Sequence, residues 1–174
     1  YFANLLGQRY DGLPKFARGW FEKVASCLPE PKEFKSLSNR MKRFVSVLSH
    51  SPEYRYCLWM SHFEPGLKAE LFSEDFKAKF GDHDSTEIIF DAFRQSQAKD
   101  IVNATLDVDV NTYLPNDLLV KVDVATMAHG LEARSPFLDH EVMEFCASLP
   151  ANMKLKGVTK KYLLKKAAKD LLPQ

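Results

Sequence analysis

The chain has 174 residues, 45% hydrophobic and 27% charged, an ordinary globular composition that suits one domain with a sizeable core and excludes intrinsic disorder. A formal net charge of +1 leaves no global electrostatic footprint for nucleic acid, so any anion site must be a local cluster. No apolar run approaches the roughly 20 residues of a membrane span, and the start YFANLLGQRY lacks the plan of a signal peptide.

The first predicted helix covers residues 13 to 28, where Phe16, Trp20, Phe21, Val24 and Leu28 recur at helical spacing between Pro14 and Pro29. A second covers Pro31 to Ser49, with Phe34, Leu37, Met41, Phe44, Val45 and Leu48 on one face and basic residues on the solvated one. Pro52 opens a third, PEYRYCLWMSHF, whose aromatic density reads as core. Residues 64 to 80 are broken by Pro65 and Gly66 into two short helices, with Ser73 capping EDFKAKF. Asp84 and Glu87 resemble a capping box ahead of EIIFDAF. Residues 99 to 111 carry β-branched residues that suit a strand on propensity, but a helix is favoured.

The densest stretch is Thr112 to Pro150. Leu114 to His129 is predicted as one helix, with Pro115 in its first turn and Gly130 at its stop. Ser135 must leave helical geometry because Pro136 follows it. Asp139 reads as the N-cap of a helix that places Val142, Met143, Phe145, Cys146 and Leu149 on an apolar face. A last helix is expected from near Thr159, burying Leu164, Ala167, Ala168 and Leu171. Lys160 and Lys161 would then sit in its first turn, where cations oppose the macrodipole and an adjacent phosphate would reverse the cost. The sum is an all-α single unit over residues 1 to 174.

Cys27, Cys57 and Cys146, an odd number without CxxC spacing, read as reduced core residues of a cytosolic protein. GxxxxGK, GxGxxG, HExxH and GxSxG are all absent, and His129 and His140 lack partners at metal-site spacing. Asp117 and Asp123 fall about 120° apart on a helix, so they should not converge. Asp117 suits the positive helix start, whereas Asp123, close to the apolar face, needs a partner if buried. Arg134, two residues after Glu132, is a candidate partner for it.

The run LPNDLLVKVDVATMAHGLEARSPFLDHEVMEFCASLP, followed by KKYLLKKA and LLP, resembles the synthetase domain of glutamine-hydrolysing asparagine synthetases. The likeness is strongest from Tyr113 to Pro173. Tyr1 to about Pro29 is similar to the segment after the family's GGDE loop and GGYxRY sequence. The resemblance implies the helical carboxy-terminal portion of an α/β adenine-nucleotide alpha-hydrolase-like (ATP pyrophosphatase) domain, in a cytoplasmic enzyme. The parent would use ATP with Mg2+, aspartate and glutamine to make asparagine, AMP and pyrophosphate. SGGxDS, GGDE and the glutaminase domain with its amino-terminal cysteine do not occur here. The expectation is therefore a fragment, inactive alone and binding no cofactor, nucleic acid or membrane. Its uncovered apolar helix faces would favour homo-oligomers.

Of the site residues, the resemblance implies that Lys161 neutralises developing pyrophosphate charge, with Lys160 as the alternative position. Asp117 and Asp123 match the acids of the family's DDLLVKVDR pattern, where Val124 replaces the usual Arg. Glu132 and Arg134 match EARVPFLD and would brace the site. The alternatives are a non-enzymatic helical scaffold or partner-binding module, or an amidotransferase acting on another carboxylate.

Overall fold

A computed structural model describes residues 2–14, 16–19, 23, 44–61, 63, 65–81 and 83–171. Most of the helices expected over 13–28 and 31–49, and Cys27 with them, lie outside the described residues. Residues 16–19 and 44–46 are helical. The chain divides into two compact units, Ala3–Asp91 and Ala92–Gln174 with Tyr1–Phe2.

The core of the Ala3–Asp91 unit forms around helices Phe2–Asp11 and Pro52–Met60. Pro52 suits the start of the second helix because its missing N–H has no intrahelical partner there, and Ser51 caps it by accepting from Tyr54 N at 3.3 Å. Tyr10, Val47, Leu48, Tyr56 and Cys57 are buried together with Arg55. A buried guanidinium needs compensation. Arg55 donates to Asp11 through Nη1 at 2.8 Å and Nη2 at 2.5 Å, and Nη2 also reaches the Leu48 carbonyl. Gly7 makes room for it, since a Cβ there would lie 2.6 Å from Arg55 Nη1. Arg18 closes the end of the first helix by donating to Leu13 O and Asp11 O, each at 2.8 Å. Stacked rings Phe44–Trp59 and Tyr54–Phe90 agree with the aromatic segment being core.

Two short helices, Pro65–Leu71 and Glu74–Phe80, follow as expected, with Ser73 accepting from Phe76 N at 3.2 Å. Asp84 precedes helix Glu87–Gln95 and accepts from Thr86 N at 2.9 Å, a bond that holds its carboxyl below the ordinary value.

Burial pushes the Cys57 thiol up to about 11, aided by the negative charge of Asp84, whereas Cys146 is exposed. Burial of all three cysteines is thus corrected for Cys146: its helix leaves that position in solvent. Because the thiolate is the nucleophile, Cys146 should react with a thiol reagent at pH 8 while Cys57 stays protected until the chain unfolds. Peptide mapping of the modified protein reads the two sites separately. Equal labelling of both would contradict the burial of Cys57.

In the Ala92–Gln174 unit the Asp100 carboxylate accepts from Val102 N at 3.0 Å and Asn103 N at 2.9 Å, starting helix Ile101–Asn111. The helical reading of this segment holds over the strand. Its cap and the helical spacing of buried Val102, Thr105 and Val108 outweigh β-branched propensity. Lys154 Nζ ties a later segment back to this helix, donating to Asn103 Oδ1 at 2.6 Å, and to Ala147 O at 3.0 Å.

The single helix expected over Leu114 to His129 is corrected to a π-helical Leu114–Leu119 followed by α-helix Val120–Met127. Pro115 follows closely on the preceding helix, where it can neither donate to the carbonyl four residues back nor fit its ring beside it. A wider turn accommodates both restrictions. The far end is as expected. Gly130 takes φ +66, with Gly130 N donating to Met127 O at 3.0 Å and Leu131 N to Thr126 O at 3.1 Å, the paired bonds of a Schellman motif.

Ser135 is extended at φ −108, ψ 112 before the 3-10 turn Pro136–Leu138. Asp139 caps helix His140–Ser148 by accepting from Glu141 N at 3.0 Å and Val142 N at 3.3 Å. That helix does not bury the face expected of it: Phe145 is 61% exposed and Cys146 is exposed.

The terminal segment departs most from expectation. Helix Ala151–Lys154 leads into an antiparallel hairpin, β1 (Leu155–Lys156) and β2 (Thr159–Lys160), and the last helix is Tyr162–Ala167. Among the described residues the all-α reading becomes mostly helical with one small hairpin, and the helix start near Thr159 moves to Tyr162. The stripe expected to be buried is not, since Leu164 is 45% and Leu171 81% exposed. Among the described residues no helix is long and apolar enough to cross a membrane.

Candidate functional site

Lys161 stands at the junction of hairpin and helix. Strand β2 pairs Lys160 with Leu155 and Thr159 with Lys156, and Gly157 supplies the positive φ of +58 that opens the two-residue loop. The chain then turns at Lys161, whose φ 55, ψ 41 is left-handed. Among the described residues it is the only non-glycine with positive φ. Such a conformation costs an L-residue about 1–2 kcal/mol, and strain of this kind concentrates at functional sites. The first-turn argument for both lysines is corrected accordingly. Lys160 belongs to a strand and Lys161 to the cap position, and a six-residue helix supplies little macrodipole. What remains is local cation density: Lys156, Lys160, Lys161, Lys165 and Lys166 fall within eleven residues.

The acidic candidates sit on the wide turn and on the helix after it. Asp117 lies in the π-helical turn, a geometry enriched at functional sites. It pairs with Lys121 at 3.7 Å, both side chains being largely in solvent. Asp123 is exposed on helix Val120–Met127. Arg134 does not partner it. Two bonds from Arg134, Nη2 at 2.7 Å and Nε at 3.0 Å, go to Glu132 Oε1. Because Asp123 is hydrated, no buried charge demands a partner, and the extended segment after Gly130 leaves Arg134 beside Glu132. Among the described residues no hydrogen bond or ion pair links Asp117, Asp123, Glu132 or Arg134 to Lys160 or Lys161. The five lysines thus lie along the hairpin and the helix after it, with Lys156 and Lys160 on opposite faces of the hairpin, and two separate ion pairs lie elsewhere.

Two residues escaped the sequence reading. Lys156 Nζ donates to the Tyr162 hydroxyl at 3.3 Å and lies 4.8 Å from the centre of its ring. The signal was Gly157-Val158 between LK and TK, a two-residue hairpin loop that brings Lys156 back toward Tyr162.

The Ala92–Gln174 unit thus presents a lysine-rich hairpin that leads into its last described helix through a left-handed cap residue. Sequence comparison gives the family. The family model described as asparagine synthase matches residues 6–174, and the chain belongs to that family. It is 31% identical over 165 residues to a glutamine-hydrolysing asparagine synthetase of Bacillus subtilis, covering 95% of this chain and 24% of the relative. A putative glutamine-hydrolysing asparagine synthetase of Mycobacterium tuberculosis is 34% identical over 164 residues, covering 94% of this chain and 24% of the relative. The corresponding enzyme of Gallus gallus is 44% identical over 59 residues, 32% of this chain and 10% of the relative. The chain therefore spans about a quarter of the length of the first two of these relatives. No solved structure matches it at a significant level.

Proposed function

We propose that this chain is the helical carboxy-terminal part of an ATP-pyrophosphatase-type synthetase domain in a cytoplasmic, glutamine-dependent asparagine synthetase. In that reaction a side-chain carboxylate oxygen of aspartate attacks the α-phosphorus of ATP and expels pyrophosphate. Ammonia released from glutamine then attacks the acyl-adenylate carbonyl, expels AMP and loses a proton. The observation that carries this reading is the family match over residues 6–174.

Within that reading Lys161 meets the negative charge building on the departing pyrophosphate, with Lys160 as the alternative. A cation held in advance where charge develops costs no reorganisation during the reaction. Asp117 and Asp123 form part of the site wall, and Glu132 and Arg134 brace it as an ion pair. Magnesium accompanies ATP as its complex. The described residues contain no cluster of three His, Cys, Asp or Glu side chains able to hold a metal, so no ligand for magnesium is assigned among them.

Calorimetry tests this division of labour. The 174-residue chain, lacking SGGxDS, should show no saturable heat with Mg-ATP, and micromolar binding would place a nucleotide site inside it. The exposed apolar side chains of Val120, Val124, Met127 and Phe145 favour one rival, a helical partner-binding module, because such surfaces mark interfaces. The encoding reading frame discriminates. SGGxDS and GGDE upstream of Tyr1 support the synthetase, and an intact upstream frame without them supports the module.

A further inference from the structure

We propose that the cleft at the end of helix Phe2–Asp11 is an oxyanion site, with Arg18 as its principal cation and a phosphate group, free or on a small monoester, as its ligand. It stands apart from the synthetase reading. The cleft measures about 440 Å³ and lies within the Ala3–Asp91 unit, where Asp11, Arg18, Ser49, His50, Ser51 and Arg55 supply its polar wall.

Charge sets the class of ligand. The Asp11 carboxylate accepts from Arg55 Nη1 at 2.8 Å and Nη2 at 2.5 Å, so those two charges offset one another. Among the described residues no carboxylate pairs with Arg18. Its Nε and Nη2 donate to Leu13 O and Asp11 O, each at 2.8 Å, which fixes the guanidinium and leaves its remaining N–H groups for another acceptor. A guanidinium already held in place loses little freedom when it binds an oxyanion.

Arg55 supplies a second, independent observation. The residue is 2% exposed, and its Nε is buried without an acceptor among the described residues. A buried donor in that state is a place for an ion or a water, and an oxygen seated against the Arg55 wall of the cleft would satisfy it. The rim adds further donors. Ser51 Oγ accepts from Tyr54 N at 3.3 Å, so its own proton is available elsewhere. His50 stacks on Tyr54 with ring centres 4.8 Å apart, and its Nδ1 meets Ser49 Oγ at 3.4 Å. With Ser49 donating in that contact, His50 Nε2 carries the ring proton and can donate. Donors from several side chains suit the three acceptor oxygens of a phosphate monoester better than the two of a carboxylate.

Arginine side-chain magnetic resonance tests the site in the 174-residue chain, because each Nε–H gives its own signal. Inorganic phosphate at constant ionic strength should shift the Arg18 and Arg55 Nε–H signals together and saturably, at roughly millimolar concentration, and acetate should act more weakly. Glycerol phosphate separates the two sources: tighter binding than phosphate assigns the site to monoesters, weaker binding to the free ion. Mg-ATP, with its phosphate charge chelated, should leave both signals unmoved. Arg18→Met should weaken phosphate binding at least about tenfold, and Arg18→Lys, which keeps the charge, should weaken it less. His50→Ala changes an exposed side chain and should also weaken binding, which keeps the test decisive if Arg18→Met does not fold. Shifts that never saturate, or that acetate reproduces in full, would overturn the proposal. So would a saturable shift at Arg18 with Arg55 unmoved, which places the ion outside the cleft. Wild-type affinity in a folded Arg18→Met, or in His50→Ala where that variant does not fold, would overturn it as well.

Discussion

Arg55→Ala should destabilise the Ala3–Asp91 unit by about 3 kcal/mol, the lower part of the range for breaking a buried ion pair. Arg55 is 2% exposed, and its guanidinium satisfies both the Asp11 carboxylate and the Leu48 carbonyl. Truncation removes a side chain that fills the space beside Gly7 and leaves the buried Leu48 carbonyl without that donor. Asp11 limits the damage, because its side chain is 36% exposed and water can reach the abandoned carboxylate. Urea unfolding monitored by Trp fluorescence should show a lower midpoint. Replacing both partners, Asp11→Leu with Arg55→Met, should recover much of the loss, since a well-packed apolar pair avoids the desolvation of two charges. A loss below about 1 kcal/mol in Arg55→Ala would place the ion pair among the weak surface pairs.

In the complete synthetase, Lys161→Ala should lower AMP formation at least 100-fold, the scale for removing one preorganised group that meets transition-state charge. Glutamine hydrolysis, carried by a separate domain in the proposed enzyme, should be nearly unaffected. The left-handed backbone requires a control. Alanine removes the ammonium but keeps the unfavourable φ, whereas Lys161→Gly removes the ammonium and relieves the backbone. If charge is what matters, both variants are inactive and Lys161→Arg retains partial activity. Activity in Lys161→Gly with none in Lys161→Ala would assign the position to backbone geometry. Near-normal synthesis by Lys161→Ala would end the pyrophosphate assignment.

Local chemistry of the fold was legible where one residue's stereochemistry decides. Ser73 and Asp139 have side-chain oxygens at the right distance from unpaired N–H groups, Gly130 tolerates a positive φ, and Pro136 forbids helix at Ser135. These properties survive any tertiary context. The hairpin went unread because two-residue strands have no periodicity to detect, which left Gly157-Val158 as its one signal. Burial was misread for Phe145, Cys146, Leu164 and Leu171, since spacing identifies an apolar face but not whether anything covers it. The candidate site residues were singled out chiefly through resemblance. Residue types alone gave Asp123 a need for Arg134 that hydration removes, and they gave Lys161 a helix dipole where the structure has a strained turn. Lys156 and Tyr162 were missed because their meeting depends on the hairpin.

The wide turn at Leu114–Leu119 also resets angular position along the chain. A π-helical turn holds about one residue more than an α-helical one, so everything after it is rotated by roughly 100° relative to an uninterrupted helix. A helical wheel drawn through Leu114 to His129 is therefore out of phase across Val120, and the 120° separation inferred for Asp117 and Asp123 belongs to a helix the chain does not form. Pro115 thus works as an angular offset written into the sequence: it decides which way Asp123 faces while standing eight residues away from it.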